Sequence, residues 1–184
     1  MMDANEREQF RAAIHGDRDA FEMIIRTQSR PLFAIAYGVL QNREEAEDAV
    51  QDALVKAWKS RWRVRDPEKF PAWLATIVRY RARDLARKHR PAPLDELMEG
   101  HAPLCPTSEA SDAADHEMDQ QLRTALAALP ELHRSALALR YFEEMDYATI
   151  EQTLGLSNGA LRGILGRALA AMRKQLKPAL TAMG

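Results

Sequence analysis

Residues 46–58 read AEDAVQDALVKAW, and this stretch decides the fold. Ala46, Ala49, Val50, Ala53, Leu54, Ala57 and Trp58 recur at three- and four-residue intervals, the single apolar stripe of an α-helix. Asn42 stands where it can cap that helix, with Glu44, Glu45 and Glu47 near its positive N-terminal end. The opposite face carries Glu47, Asp48, Gln51 and Asp52. Asp48 and Asp52 are four apart, so like charges stack, at a cost of about 0.2–0.5 kcal/mol in an isolated helix. A basic partner surface would turn that cost into a gain. A solvated acidic face is the simpler alternative, and spacing does not choose between them.

Helical period continues on both sides. Upstream, Asp17 is an N-cap for a helix through Phe21, Ile24 and Ile25. Pro31 is expected to end or kink it before a second apolar run at 32–40. Downstream, SRWRVRDPEKFP at 60–71 mixes Arg61, Arg63, Arg65 and Lys69 with Trp62 and Phe70. Aspartate-proline at 66–67 marks a turn. Cations interleaved with aromatics suit unpaired nucleic acid, the cation meeting phosphate and the ring stacking on a base. Phe70 and Trp73 are read instead as core. The helix from 71 to about 90 then turns Trp73, Leu74, Ile77, Val78 and Leu85 inward. Arg79, Arg83, Arg87 and Arg90 share its outer face, a row of phosphate contacts, and Asp84 can pair with Arg87.

The C-terminal part reads as a helix-turn-helix. Leu129-Pro130 opens a helix, Asp146 caps a short one, Gly155 suits the left-handed turn after it, and Ser157 caps the next. In that last helix Leu161, Ile164, Leu165, Ala168, Leu169 and Met172 face inward, while Asn158, Ala160, Arg162, Arg167, Arg173 and Lys174 face out. A basic second helix after a short glycine turn is the geometry that enters a major groove.

Composition agrees with an all-helical protein of two small domains. Aromatics are only 7% of the 184 residues, whereas Ala and Leu abound. The net charge of -1 hides blocks: residues 1–55 balance at -5, 56–90 at +9, 91–121 at -8 and 122–184 at +3. Segregated charge means that different stretches meet different partners. The acidic stretch 91–121 holds Pro91, Pro93, Pro103 and Pro106, which predicts a flexible linker. The resulting division is a domain at 1–92, a linker at 93–121 and a domain at 122–178. No run approaches the roughly 20 apolar residues of a membrane span. The N-terminus lacks a signal-peptide pattern, so a cytoplasmic protein without membrane insertion is expected. Cys105 is the lone cysteine and the five histidines are scattered, so neither a metal site nor a cofactor is expected. No HExxH or GxxxxGK[ST] motif is present, which argues against an enzyme.

These residues resemble a known family. AEDAVQDALVKAW at 46–58 resembles the region 2 helix of extracytoplasmic-function (ECF) sigma factors of the sigma-70 family. FPAWLATIVRYRARDLARKHR at 70–90 resembles the promoter-melting segment that follows it. PAPLDEL at 91–97 is similar to the start of the family's linker, and 122–176 resembles region 4. The likeness covers most of the chain in the right order.

The resemblance implies an alternative sigma factor that binds core RNA polymerase and directs promoter-specific initiation, in a stress or envelope response of a bacterium. It implies that Glu47, Asp48, Gln51 and Asp52 dock on the β′ clamp and that region 4 meets the β flap. Arg61, Trp62, Arg63, Arg65, Arg79, Tyr80, Arg83 and Arg87 would hold the −10 element. Asn158, Ala160, Arg162 and Arg167 would read the −35 element. An anti-sigma factor is an expected partner. Three departures stand out: Tyr80 where the family usually has Asn, Glu151 in place of a small Ala, and Gly163 and Gly166 inside the recognition helix. Each glycine costs roughly 1 kcal/mol of helix stability relative to Ala. Two alternatives stay open: a helix-turn-helix regulator that borrows only the C-terminal module, and a sigma-like decoy that binds an anti-sigma factor.

Overall fold

A computed structural model describes residues 4–88 and 113–182. Among them every regular element is helical. The first bundle contains α1 (Ala4–His15), α2 (Arg18–Leu40), α3 (Arg43–Ser60) and α4 (Phe70–Lys88). Two single turns of 3-10 helix, Arg61–Arg63 and Pro67–Lys69, join α3 to α4. The second bundle contains α5 (Ala113–Ala127), α6 (Glu131–Leu137), α7 (Tyr147–Leu154) and α8 (Asn158–Ala182).

Local chemistry sets the boundaries. Asp17 accepts from the Ala20 N–H at 3.0 Å, Asn42 from Glu45 N–H at 3.1 Å and Asp146 from Thr149 N–H at 3.0 Å. Each satisfies one of the amides that a helix start leaves unpaired. The short side chain of Asp146 also accepts from the Thr149 hydroxyl, and these bonds hold its carboxyl below the usual range. Gly155 closes α7 at φ 66°, where a side chain would be strained. Gln41 closes α2 at φ 54° without that exemption, its N–H bonded to the Tyr37 carbonyl.

The first core is built on a run of small residues. Ala46, Ala49, Ala53 and Ala57 of α3 are each 1% exposed or less. Four methyl groups on one edge let α3 lie close against α2 and α4, since helix separation depends on the side chains between axes. Aromatic rings fill the remaining volume. Phe10 stacks on Phe70 at 5.4 Å, and Phe21 meets Trp58 edge-on at 5.0 Å. In the second core Ala136, Leu139, Ile150, Leu161 and Ala168 are fully buried.

Two expectations need correction. Pro31 neither ends nor divides the helix: α2 runs continuously through it. Its ring is buried, with Leu32 and Ile35 beside it in the core, and that packing offsets the missing N–H bond. Helix α5 starts at Ala113, inside the stretch assigned to the linker. Acidic, Ala-rich sequence there has adequate helix propensity, and Ala125 and Leu129 anchor its far end in the core. The helix opened at Leu129-Pro130 runs from Glu131 and widens past Leu137 into a π turn over Ala138–Phe142. The remainder of the expected linker, with Cys105 and His101, lies outside the described residues, as do His89 and Arg90.

Phe70 is fully buried and Trp62 is 67% exposed, so the two should behave oppositely on truncation. Phe70→Ala is expected to cost about 3–5 kcal/mol. Trp62→Ala should stay within about 0.5 kcal/mol. Urea unfolding followed by far-ultraviolet circular dichroism measures both.

Candidate nucleic-acid interface

The alanine edge of α3 dictates what its other edge presents. Asp48, Gln51 and Asp52 point to solvent, as expected. Glu47 accepts from Arg43 Nε at 3.0 Å, one turn back on the same helix. Asp52 accepts from Arg81 Nε of α4 at 2.9 Å. Glu47 and one of the two stacked acids, Asp52, thus have internal partners, which lowers the repulsion anticipated from spacing. Asp48 has no hydrogen-bond or ion-pair partner among the described residues. Val55 lies one turn beyond Gln51 and Asp52 and is 55% exposed. Sequence reading missed Val55. Its signal was an apolar residue off the apolar stripe.

The turn after α3 divides its arginines. Arg61 departs from the expectation of a nucleic-acid contact. Its guanidinium lies 3.9 Å above the Trp58 ring and donates to the Trp58 carbonyl at 2.5 Å. Its Nε is buried without a hydrogen-bond partner. Gly16, at φ 103°, makes room for it: a Cβ there would come within 2.8 Å of the guanidinium. Arg61 is therefore a brace between the α1–α2 turn and the end of α3. Arg63 and Arg65 are exposed, and the Arg63 guanidinium sits 5.4 Å from the Trp62 ring. The core takes Phe70 and half-buries Trp73, but it leaves Trp62 in solvent.

On α4 the cations follow the expected outer face with differing freedom. Tyr80 is 61% exposed. Arg79 is half-buried. Arg87 pairs with Asp84 three residues back, as its spacing suggested. Arg83 reaches across to the second bundle, where its Nε meets both oxygens of Glu131 at 3.0 and 3.1 Å. That bidentate contact holds the guanidinium above its ordinary pKa.

The helix-turn-helix is formed by α7 and α8. Ser157 accepts from the Ala160 N–H at 3.4 Å, at the expected cap. The half-buried Glu151 accepts from Asn158 Nδ2 at 2.5 Å. Asn158 in turn accepts from Arg162 Nε at 2.8 Å. Arg162 lies 5.5 Å from the Tyr147 ring, and Arg140 lies 5.4 Å from the same ring. The carboxylate that replaces a small residue is thus satisfied by Asn158, and a relay ties both side chains expected to reach bases. Ala160 is exposed. The Arg167 guanidinium lies over Gly163, where a Cβ would be 3.2 Å away. Burial, with Arg167 nearby, holds His133 below the usual histidine range. Among the described residues no cluster of His, Cys, Asp and Glu could hold a metal ion. Among them, too, no helix is long and apolar enough to cross a membrane.

The arrangement is one acidic face, one cationic and aromatic surface, and one helix-turn-helix. Known proteins are similar to this chain in sequence and fold. The family model of Sigma-70 region 2 matches residues 24–92, and that of Sigma-70, region 4 matches residues 119–172. A probable RNA polymerase sigma factor, RfaY of Xanthomonas campestris, is 31% identical over 95% of this chain, which spans 45% of that protein's length. The ECF RNA polymerase sigma factor SigW of Bacillus subtilis is 28% identical, with 88% of this chain and 91% of that one covered. The solved structure of CnrH in complex with the cytosolic domain of CnrY superimposes with a TM-score of 0.65 at 25% identity. It covers 94% of this chain and 97% of that one. The likeness to SigW and CnrH runs over nearly the full length of both chains, and that to RfaY over about half of that protein. The chain belongs to the extracytoplasmic-function group of the sigma-70 family, the sigma factors that direct RNA polymerase to promoters.

Proposed function

We propose that this alternative sigma factor docks on the β′ clamp of core RNA polymerase through the outer face of α3 and holds opened promoter DNA on the surface from Trp62 to Arg87. The observation that carries the reading is the exposure of two large rings, Trp62 at 67% and Tyr80 at 61%, on a surface rich in arginine. A buried core would have claimed such rings, and their cost in water is recovered when a base stacks on them. Arg63, Arg65 and Arg79 neutralise phosphates beside them. Tyr80 can both stack and donate a hydrogen bond, where the family's usual Asn can only bond. The bond-making chemistry belongs to the polymerase.

Docking uses Asp48 as the free charge, Gln51 as a polar contact and Val55 as the apolar centre. Asp52 and Glu47 keep their internal partners and add field rather than direct pairs. Region 4 offers a second docking surface, an apolar groove of about 290 Å³ lined by Leu122, Leu126, Tyr141, Phe142, Leu169 and Met172. An amphipathic helix of the β flap fits such a groove by apolar burial. Reading of the −35 element by Asn158 and Arg162 requires their relay with Glu151 to open first. An anti-sigma partner, a cytoplasmic site of action and a role in envelope or general stress complete the reading. CnrH, whose fold this chain shares, was solved with a partner's cytosolic domain bound.

Two outcomes test the assignment. Asp48→Arg places a cation against a basic surface and should weaken binding to core polymerase by about tenfold or more, equivalent to at least about 1.4 kcal/mol. Thermal melting should not change, since Asp48 has no partner to lose. Binding to core at wild-type strength would remove α3 from the docking site. Trp62→Ala should lose about 1–3 kcal/mol of single-strand affinity in the polymerase complex. Permanganate footprinting should then show less promoter opening. Arg63→Ala should instead weaken all sequences alike and reduce the salt slope by about 1.

A further inference from the structure

Trp62 is 67% exposed, and the partner its ring has among the described residues is the Arg63 guanidinium at 5.4 Å. The core does not hold this ring. Its place is set by the backbone of the turn Arg61–Arg63, which is only three residues long. Such turns are weak on their own, because 3-10 hydrogen bonds are poorly aligned. Here the residues that flank the exposed pair are anchored. Val64 is buried, and its N–H donates to the Arg61 carbonyl at 3.0 Å. Arg61 anchors the other end through its side chain. Its guanidinium lies 3.9 Å from the Trp58 ring centroid and donates to the Trp58 carbonyl at 2.5 Å. Trp58 is itself set edge-on against Phe21 of α2 at 5.0 Å. Gly16 bounds the same space: a Cβ there would stand 2.8 Å from Arg61 Nη2.

Arg61 Nε is buried without a hydrogen-bond partner. A buried donor left unpaired opposes folding. Stability alone would be served by an apolar side chain of similar length, which has no donor to bury. What the guanidinium adds is a bond to the end of α3 and a flat face against the Trp58 ring. Together these fix the direction in which the chain leaves the helix. We propose that Arg61 is a positioning residue for promoter opening: it orients the turn so that Trp62 stands ready for an unpaired base, without itself touching DNA. This inference rests on the stacking role proposed for Trp62. A ring already fixed in place loses less freedom when the base arrives, and that saving appears as affinity. Without the brace the ring is present but unplaced.

The test uses two variants that disturb the brace from opposite partners. Arg61→Ala removes the guanidinium. Gly16→Ala pushes its end away from a position that has no side chain to offer DNA. Both are studied at a temperature where circular dichroism shows them folded. Fluorine NMR of the full chain labelled with fluorotryptophan reports on the three tryptophans, with Trp62 assigned through Trp62→Phe. The Trp62 resonance should shift and narrow in both variants as the ring gains freedom. Fluorescence anisotropy of a random-sequence single-stranded oligonucleotide on the holoenzyme, over a salt series, reports binding. Affinity should fall roughly three- to tenfold in both variants. The salt slope should stay at its wild-type value, whereas loss of a phosphate contact lowers it by about 1. In a Trp62→Ala background neither variant should weaken binding further. A Trp62 resonance unmoved in both variants would overturn the positioning role. So would an undiminished loss in the Trp62→Ala background, or a reduced salt slope in Arg61→Ala, since Arg61 would then act on DNA by itself. Wild-type affinity in Trp62→Ala alone would overturn the stacking role, and this inference with it, even where the fluorine spectrum changes as expected.

Discussion

Close approach along the alanine edge of α3 is the constraint on which the first bundle depends. Ala46, Ala49, Ala53 and Ala57 are all fully buried against α2 and α4. A larger residue at any of them would push the helices apart and overfill a core already occupied by Phe70, Leu74 and Val78. Because that edge is committed to packing, the opposite edge has only one place to go. Asp48, Gln51, Asp52 and Val55 are turned outward by the same rotation that buries the alanines. Helix α4 is treated likewise: burial of Leu74, Val78 and Ala82 turns Tyr80, Arg83 and Arg87 away from the core. The proposed functional surfaces are therefore geometric consequences of the core, displayed on rigid helices.

Apolar burial dominates each bundle's core, whereas the polar contacts between bundles are arginine to carboxylate, arginine to carbonyl and glutamine to carbonyl. The difference sets which part of the molecule can move. Apolar burial is lost only by unfolding, but an exposed ion pair is worth about 0–1 kcal/mol and exchanges readily for water, phosphate or another carboxylate. Arg134 is the exception at this boundary. It is half-buried, burial lowers its pKa, and it has carbonyl partners on both bundles. Separation of the bundles must hand one of those bonds back to solvent.

Much of the fold was legible because it follows from helical period and caps. The stripe at 46–58, the caps at Asp17, Asn42 and Asp146, and the turn at Gly155 are local features, and each stands where the residues imply. What escaped reading depends on contacts distant in sequence. Pro31 lies mid-helix because buried neighbours offset its missing N–H. Arg61 was indistinguishable from Arg63 in a basic run; only the cavity left by Gly16 and the Trp58 ring draws it inward. Glu151 finds its partner seven residues away, across the helix turn. Arg83 looked like one cation of a row of four, and its carboxylate partner lies 48 residues away. Charge pattern identified the surface. It could not say which cations the fold had already engaged.

The glycines of the recognition helix bear on how promoter choice is divided. A Cβ at Gly159 or Gly166 would meet nothing within 4 Å, and at Gly163 only the mobile end of Arg167. Packing therefore does not require glycine at these positions, and each costs α8 roughly 1 kcal/mol relative to Ala. What the glycines change is the outward surface, which they leave smooth. On that surface Arg162 and Asn158 are the longest groups near the helix start; Arg162 donates to Asn158, and Asn158 donates to Glu151. A helix with few base-reading side chains can still sit in a groove and contact phosphates, which positions without specifying. Under the proposed DNA roles, sequence discrimination falls to DNA shape or to region 2, where Trp62 and Tyr80 supply exposed rings. The physical balance thus favours a factor in which region 4 anchors and region 2 selects.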